Sequence, residues 1–172
     1  MNIDIDRLPS GGLNISRDFE FHNEDFVEDN AVLLKPLHAD VFIRKQGEEV
    51  YVKGQISTLV NFICCRCLSP FEFEVDSHFD LVFLPEELNV VKEQLERDDV
   101  NRLFYYSRSL NLEEVVLEQL NLTFPTRPLC SEDCQGICPV CGQLIDNGDC
   151  TCSQKNADTR LGKLKIFLRD KS

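Results

Sequence analysis

Residues 31–63 read AVLLKPLHADVFIRKQGEEVYVKGQISTLVNFI. Two runs rich in Val, Ile, Leu, Phe and Tyr, 31–44 and 49–63, flank Lys45-Gln46-Gly47-Glu48, whose glycine suits a tight turn. β-branched and aromatic side chains fit a pleated, half-buried surface, so the stretch predicts a long β-hairpin. Downstream, Phe71, Phe73 and Val75 alternate with Glu72, Glu74 and Asp76, and the pattern continues through Phe79, Leu81 and Phe83. It stops at Pro85, which has no amide N–H to give a ladder. Upstream, Asn2 to Leu8 alternates apolar and polar, Ile3 and Ile5 against Asp4 and Asp6, which predicts a short strand that Ser10-Gly11-Gly12 ends. These strands together predict an antiparallel sheet or a small open β-barrel.

One main helix follows. Asn111 stands as an N-cap before Leu112-Glu113-Glu114, and Leu112, Val115, Val116 and Leu120 share one helical face, giving about three turns that end before Pro125. The acidic interval 85–108 has weak periodicity and is expected to be a loop or short helix. At the end of the chain, residues 158–171 carry Leu161, Leu164 and Leu168 at helical spacing, which predicts a short amphipathic helix.

With 172 residues, of which 42% are hydrophobic, the chain suits one core domain plus a small appendage. The start of the sequence lacks the basic-then-apolar pattern of a signal peptide, and its apolar runs fall far short of the roughly 20 residues that span a bilayer. A cytoplasmic protein is therefore expected. The net charge of −12 and isoelectric point near 4.6 oppose nucleic acid over the body as a whole and favour basic partners. Charge is unevenly spread: residues 72–99 sum to −8, including the acidic loop 86–99, whereas 153–172 sum to +4.

Nine cysteines in a reducing compartment point to metal ligation or redox chemistry rather than disulfides. Eight form local pairs: Cys64/Cys67, Cys130/Cys134, Cys138/Cys141 and Cys150/Cys152, leaving Cys65 over. In Cys138-Pro139-Val140-Cys141-Gly142 the two-residue gap lets both thiolates face one metal, and the glycine relieves the turn that follows. Cys150 and Cys152 supply the remaining two ligands of a tetrahedral zinc site. Cys64, Cys67, Cys130 and Cys134 could form a second. A crossed arrangement, with Cys130/Cys134 joining Cys138/Cys141, satisfies the same spacing. One zinc is thus expected and a second is allowed, because so short a segment needs a staple to fold. Four thiolates also suit iron, and C-x-x-C can be a redox dithiol, but neither pair here opens a helix in a βαβ pattern.

The fold class is then α+β, a sheet or small open barrel with one main helix and a C-terminal Cys-rich zinc ribbon. The expected divisions are a core at 1–127, a zinc-binding ribbon at 128–154 and a basic amphipathic tail at 155–172. His22, His38 and His78 are scattered, and the sequence has no nucleophile elbow, P-loop or dinucleotide fingerprint. No enzyme is expected.

Cys64-Cys65-Arg66-Cys67-Leu68-Ser69-Pro70 resembles the C-x-R-C-L-x-P element of the YceD-type family of large ribosomal RNA subunit accumulation proteins. The block from Leu129 through Cys152 resembles that family's cysteine-rich form, and Asp158-Thr159-Arg160-Leu161-Gly162-Lys163-Leu164 its D-P-R-L-x-x-L tail, with Thr159 where proline is usual. The resemblance implies a bacterial or plastid factor for accumulation of large-subunit (23S) ribosomal RNA. Its partner would be the pre-ribosomal large subunit, through rRNA or a basic ribosomal protein. Contacts to RNA would rest on Arg66, Arg160 and Lys163, because phosphate contacts need Lys or Arg. A thiol/zinc redox switch and a generic zinc-ribbon interaction module are the alternatives.

Overall fold

The computed structural model describes residues 1–28, 30–86, 102–145, 150 and 152. The chain divides into two compact units, one of Met1–Phe62 with Phe71–Thr126, the other of Ile63–Pro70 with the chain from Arg127 onward. The expected acidic loop and basic tail fall largely outside the described residues, as do Arg160 and Lys163.

The first unit is built on one sheet. Its strands are β2 (Leu13–Phe19), β3 (Val32–Leu33), β4 (Leu37–Gln46), β5 (Glu49–Ile63), β6 (Pro70–Pro85) and β7 (Arg102–Tyr105), in the order β2-β4-β5-β6-β7 with β3 also paired to β5. β1 (Asn2–Asp4) and β8 (Ser109–Asn111) form a separate antiparallel pair. The predicted hairpin is β4–β5, closed by Gly47-Glu48 between the partners Gln46 and Glu49, with Gly47 at φ +65°. Pro36 lies in the break between β3 and β4, consistent with its missing amide. The sheet is open among the described residues, with β2 and β7 at its edges, so it is not a closed barrel.

Two features depart from the expectations. β7 runs parallel to β6, with Val82 opposite Arg102 and Pro85 opposite Tyr105, so the sheet is mixed at that edge. Part of the interval 85–108, expected to be loop or short helix, is therefore strand, since Arg102–Tyr105 pairs with β6. At the other end, the strand expected through Leu8 stops at Asp4 and gives way to a single 3-10 turn, Ile5–Arg7.

One face of the sheet makes the core. Leu37, Ala39, Val41 and Ile43 alternate along β4, and Val50, Val52, Ile56, Val60 and Phe62 along β5, all buried. The helix α1 (Leu112–Thr123) covers this core with the four residues the spacing predicts, Leu112, Val115, Val116 and Leu120. Its N-cap is Asn111, whose side-chain oxygen accepts from the Glu113 amide at 3.2 Å, and Glu113 and Glu114 sit in the first turn where the helix dipole favours negative charge. Fully buried Phe62 is ringed by Phe71, Phe73 and Phe124, with centroids at 6.2, 5.7 and 5.1 Å. Gly54 interrupts β5 for a steric reason: a Cβ there would lie 2.5 Å from the Phe79 ring, which occupies the side chain's place. No helix among the described residues is long and apolar enough to cross a membrane.

Candidate metal centres

The second unit is organised by its cysteines. Its first segment is the connection between β5 and β6, too short for the crossover a parallel pair needs. Here the chain folds into a knuckle: the Leu68 amide donates to the Cys64 carbonyl and the Cys64 amide to the Ser69 carbonyl, both at 2.9 Å. A second knuckle repeats the pattern, with the Gly142 amide donating to the Cys138 carbonyl and the Cys138 amide to the Gln143 carbonyl, both at 2.8 Å. The residue after the second cysteine is left-handed in each, φ +73° at Gly142 and +60° at Leu68. Glycine accepts that conformation freely, whereas a leucine in it costs roughly 1–2 kcal/mol. Leu68 recovers little through burial, being 61% exposed.

Each knuckle meets one further cysteine pair. Cys64, Cys67, Cys130 and Cys134 bring their four sulfurs within 4.8 Å of one another, and Cys138, Cys141, Cys150 and Cys152 do the same. The crossed arrangement allowed by spacing is not the one adopted. Contacts of 3.8 Å (Cys64 to Cys134), 3.6 Å (Cys67 to Cys130) and 3.6 Å (Cys141 to Cys150) are far beyond a disulfide bond, and all nine thiols are free. They match the edge of a thiolate tetrahedron, about 3.8 Å for metal–sulfur bonds of about 2.3 Å. Each group can therefore hold a metal ion.

The electrostatics of the two groups correspond at their first and last cysteines. Burial opposes charge on Cys64, but the amides of Cys130, Cys67 and Arg66 outweigh it and bring the thiol down to about 6. Cys138, the matching position, is brought down to about 6 by the amides of Cys141 and Val140 and by the Cys150 thiol, with the Val140 nitrogen 3.4 Å from its sulfur. The last cysteine of each group moves the other way. Cys134 is pushed up to about 12 by burial and by sharing with the Cys130 thiol, and Cys152 to about 12 by sharing with Cys141 and by burial. One thiol of each group thus ionises readily while others keep protons shared with it, and a divalent cation would displace those protons.

Arg66 and Gly136 join the segments of the first group. The Arg66 guanidinium donates to the carbonyls of Cys134 at 2.7 Å and Glu132 at 3.3 Å, and its own carbonyl accepts from the Ile137 amide at 3.2 Å. Gly136, at φ +79°, packs so close that a Cβ would lie 2.8 Å from that same carbonyl oxygen. The Cys65 amide donates to the Pro128 carbonyl at 2.9 Å, while the Cys65 side chain is exposed and belongs to neither group. Sequence reading assigned Arg66 to RNA and did not anticipate this internal role. Its signal was the position of the arginine inside the C-x-x-C, where the side chain leaves from the tip of a knuckle.

Among the histidines, His38 lies between two carboxylates. Its Nδ1 lies 2.6 Å from Asp18 and its Nε2 3.4 Å from Asp40, on a half-exposed ring. The hydrogen bond to Asp18 raises its pKa against the opposing effect of burial, with Asp40 adding to the rise.

Fold and site define the class: an α+β protein whose second unit is organised around two groups of four cysteines. The chain matches the model of the large ribosomal RNA subunit accumulation protein YceD over residues 52–168 and belongs to that family. It is similar to an uncharacterized protein of Mycobacterium tuberculosis and to one of Mycobacterium bovis, each 30% identical over 106 residues, 62% of this chain and 50% of the relative. A Mycobacterium leprae protein, also uncharacterized, is 25% identical over 110 residues, 64% of this chain and 49% of its own. The chain spans about half the length of these curated relatives. No solved structure matches it.

Proposed function

We propose that this protein is a non-catalytic factor supporting accumulation of large-subunit ribosomal RNA, and that two zinc ions, one per cysteine group, organise its second unit. Membership of the family described by that role supports the first part. The single observation that carries the second is the pair of closely spaced four-sulfur groups built on equivalent knuckles. Closed sets of four thiolates suit structural zinc, whereas catalytic zinc keeps an open position and normally recruits His or carboxylate. Bound zinc would keep all eight thiolates deprotonated and lock the short second unit into one conformation; structural zinc can contribute about 10 kcal/mol or more of apparent binding energy. The partner would be the pre-ribosomal large subunit, reached through rRNA or a basic ribosomal protein, and the acidic body favours the latter on charge.

Elemental analysis of protein purified without chelator tests the metal. Two zincs per chain in a colourless preparation are expected, while a coloured, iron-bearing one would turn the reading to electron transfer. Depletion in the source organism tests the biology. Loss of large-subunit RNA relative to small-subunit RNA is expected, and an unchanged ratio would leave only an interaction module outside ribosome biology.

A further inference from the structure

The two cysteine groups share their construction but differ in access to solvent. In the first, Cys64, Cys67 and Cys134 are 0%, 9% and 2% exposed, and Cys130 alone is open. In the second only Cys138 is buried; Cys141 is exposed, and Cys150 and Cys152 are half-buried. They also differ in span. Touching sulfurs are 63 positions apart in the first group, Cys67 to Cys130, and nine apart in the second, Cys141 to Cys150.

Both differences act on how a metal leaves. A competing ligand must reach the metal or a departing thiolate, and buried thiolates are inert where partly exposed ones react. Opening the first group also means separating two chain segments that Arg66 holds together through the carbonyls of Cys134 and Glu132, and that the Cys65 amide holds through Pro128. The second group lies on one continuous stretch of sequence, 138–152, so opening it parts no distant segments.

Resting on the zinc reading above, we propose a division of labour: Cys64, Cys67, Cys130 and Cys134 hold a permanent, architectural zinc, whereas Cys138, Cys141, Cys150 and Cys152 form an exchangeable site for zinc or a similarly thiophilic divalent cation. The second site loads and empties with the free metal around the protein while the first stays filled. Its exposed and half-buried thiolates, Cys141, Cys150 and Cys152, become open to alkylating reagents once the metal leaves.

The experiment uses the full chain, purified without chelator and mixed with excess 4-(2-pyridylazo)resorcinol and N-ethylmaleimide. Zinc release is followed by absorbance and alkylated cysteines are mapped by mass spectrometry over time. Cys65 reacts at once and serves as an internal reference. One zinc is expected to leave roughly tenfold or more ahead of the other, the scale on which supporting contacts change metal retention. Cys141, Cys150 and Cys152 should be alkylated in that fast phase while Cys64, Cys67 and Cys134 stay protected. Release of both zincs in one phase, or alkylation of Cys64, Cys67 and Cys134 first, overturns the proposal. A chain with Cys150→Ser and Cys152→Ser should keep one zinc and show only the slow phase. Protein isolated with one zinc is still decisive: protection of the first group supports the division, and protection of the second refutes it. Protein that binds no zinc at all refutes the underlying metal reading instead.

Discussion

Replacing Gly136 with alanine probes how tightly the second unit is fitted around its first cysteine group. Two costs add. The residue sits at φ +79°, where an alanine loses about 1–2 kcal/mol relative to the right-handed or extended regions. The new Cβ would also lie 2.8 Å from the Arg66 oxygen and 3.2 Å from its carbonyl carbon and Cβ. That oxygen cannot swing away without breaking its bond from the Ile137 amide, so the backbone must shift, at about 1–3 kcal/mol. The sum is about 2–5 kcal/mol. Gly142→Ala is the matched control: it is left-handed at φ +73°, but nothing lies within 4 Å of its added Cβ, so only the conformational cost applies. On the zinc reading proposed above, folding of the unit is linked to metal binding, and these costs should appear as weaker zinc retention, tenfold for each 1.4 kcal/mol. A series of zinc buffers with metal content as readout should shift by about 5- to 30-fold for Gly142→Ala, and by about 30-fold or more for Gly136→Ala. Equal shifts, or a larger one at Gly142, would refute the close approach of Gly136 to Arg66.

Three further outcomes can be checked. Phe62→Ala should cost about 3–5 kcal/mol in denaturant unfolding of the first unit, since it empties the centre of a cluster of aromatic rings. Arg66→Met keeps the stem but removes charged donors to two carbonyls; a loss of about 1.5–3 kcal/mol in zinc retention is expected, and unchanged retention would return Arg66 to a purely external contact role. For His38 the sign follows from its raised pKa: protonation contributes stability that is fully present below 6.5 and is lost as pH rises through the higher folded-state value. Wild type should thus lose stability relative to His38→Gln as pH rises above 6.5, and parallel pH profiles for the two proteins would contradict the His38–Asp18 pairing.

Where local pattern and burial coincide, the chain was readable in advance. Residues 49–63 alternate because one face of β5 is core, and Leu112, Val115, Val116 and Leu120 define the buried stripe of a helix with its own cap. β2 was hidden because Arg17 occupies the face it shares with Leu13, Ile15 and Phe19. Its guanidinium lies 5.0 Å over the Phe19 ring, which lets a cation stand in an apolar row. β7 was hidden because its pairing with β6 is long-range and parallel, and four residues carry no signal of that. The cysteines divide along the same line. Spacing shows which of them form local pairs, but which pairs meet depends on contacts such as Arg66 to Cys134 that no spacing contains. The likeness of the two knuckles was masked by one residue, Leu68 standing where the second knuckle has Gly142.

The first knuckle is also the bend between two strands of the sheet, so the second unit borrows Ile63–Pro70 from the interior of the first unit's sequence. The first cysteine group consequently cannot be excised as a cassette, since its ligands come from two separate stretches of the chain. A fragment cut ahead of Arg127 would carry Cys64 and Cys67 away from Cys130 and Cys134, leaving each half with two orphaned thiols. A functional dissection of that first group has to proceed by point substitution, because any cut between Cys67 and Cys130 parts its two pairs of thiols.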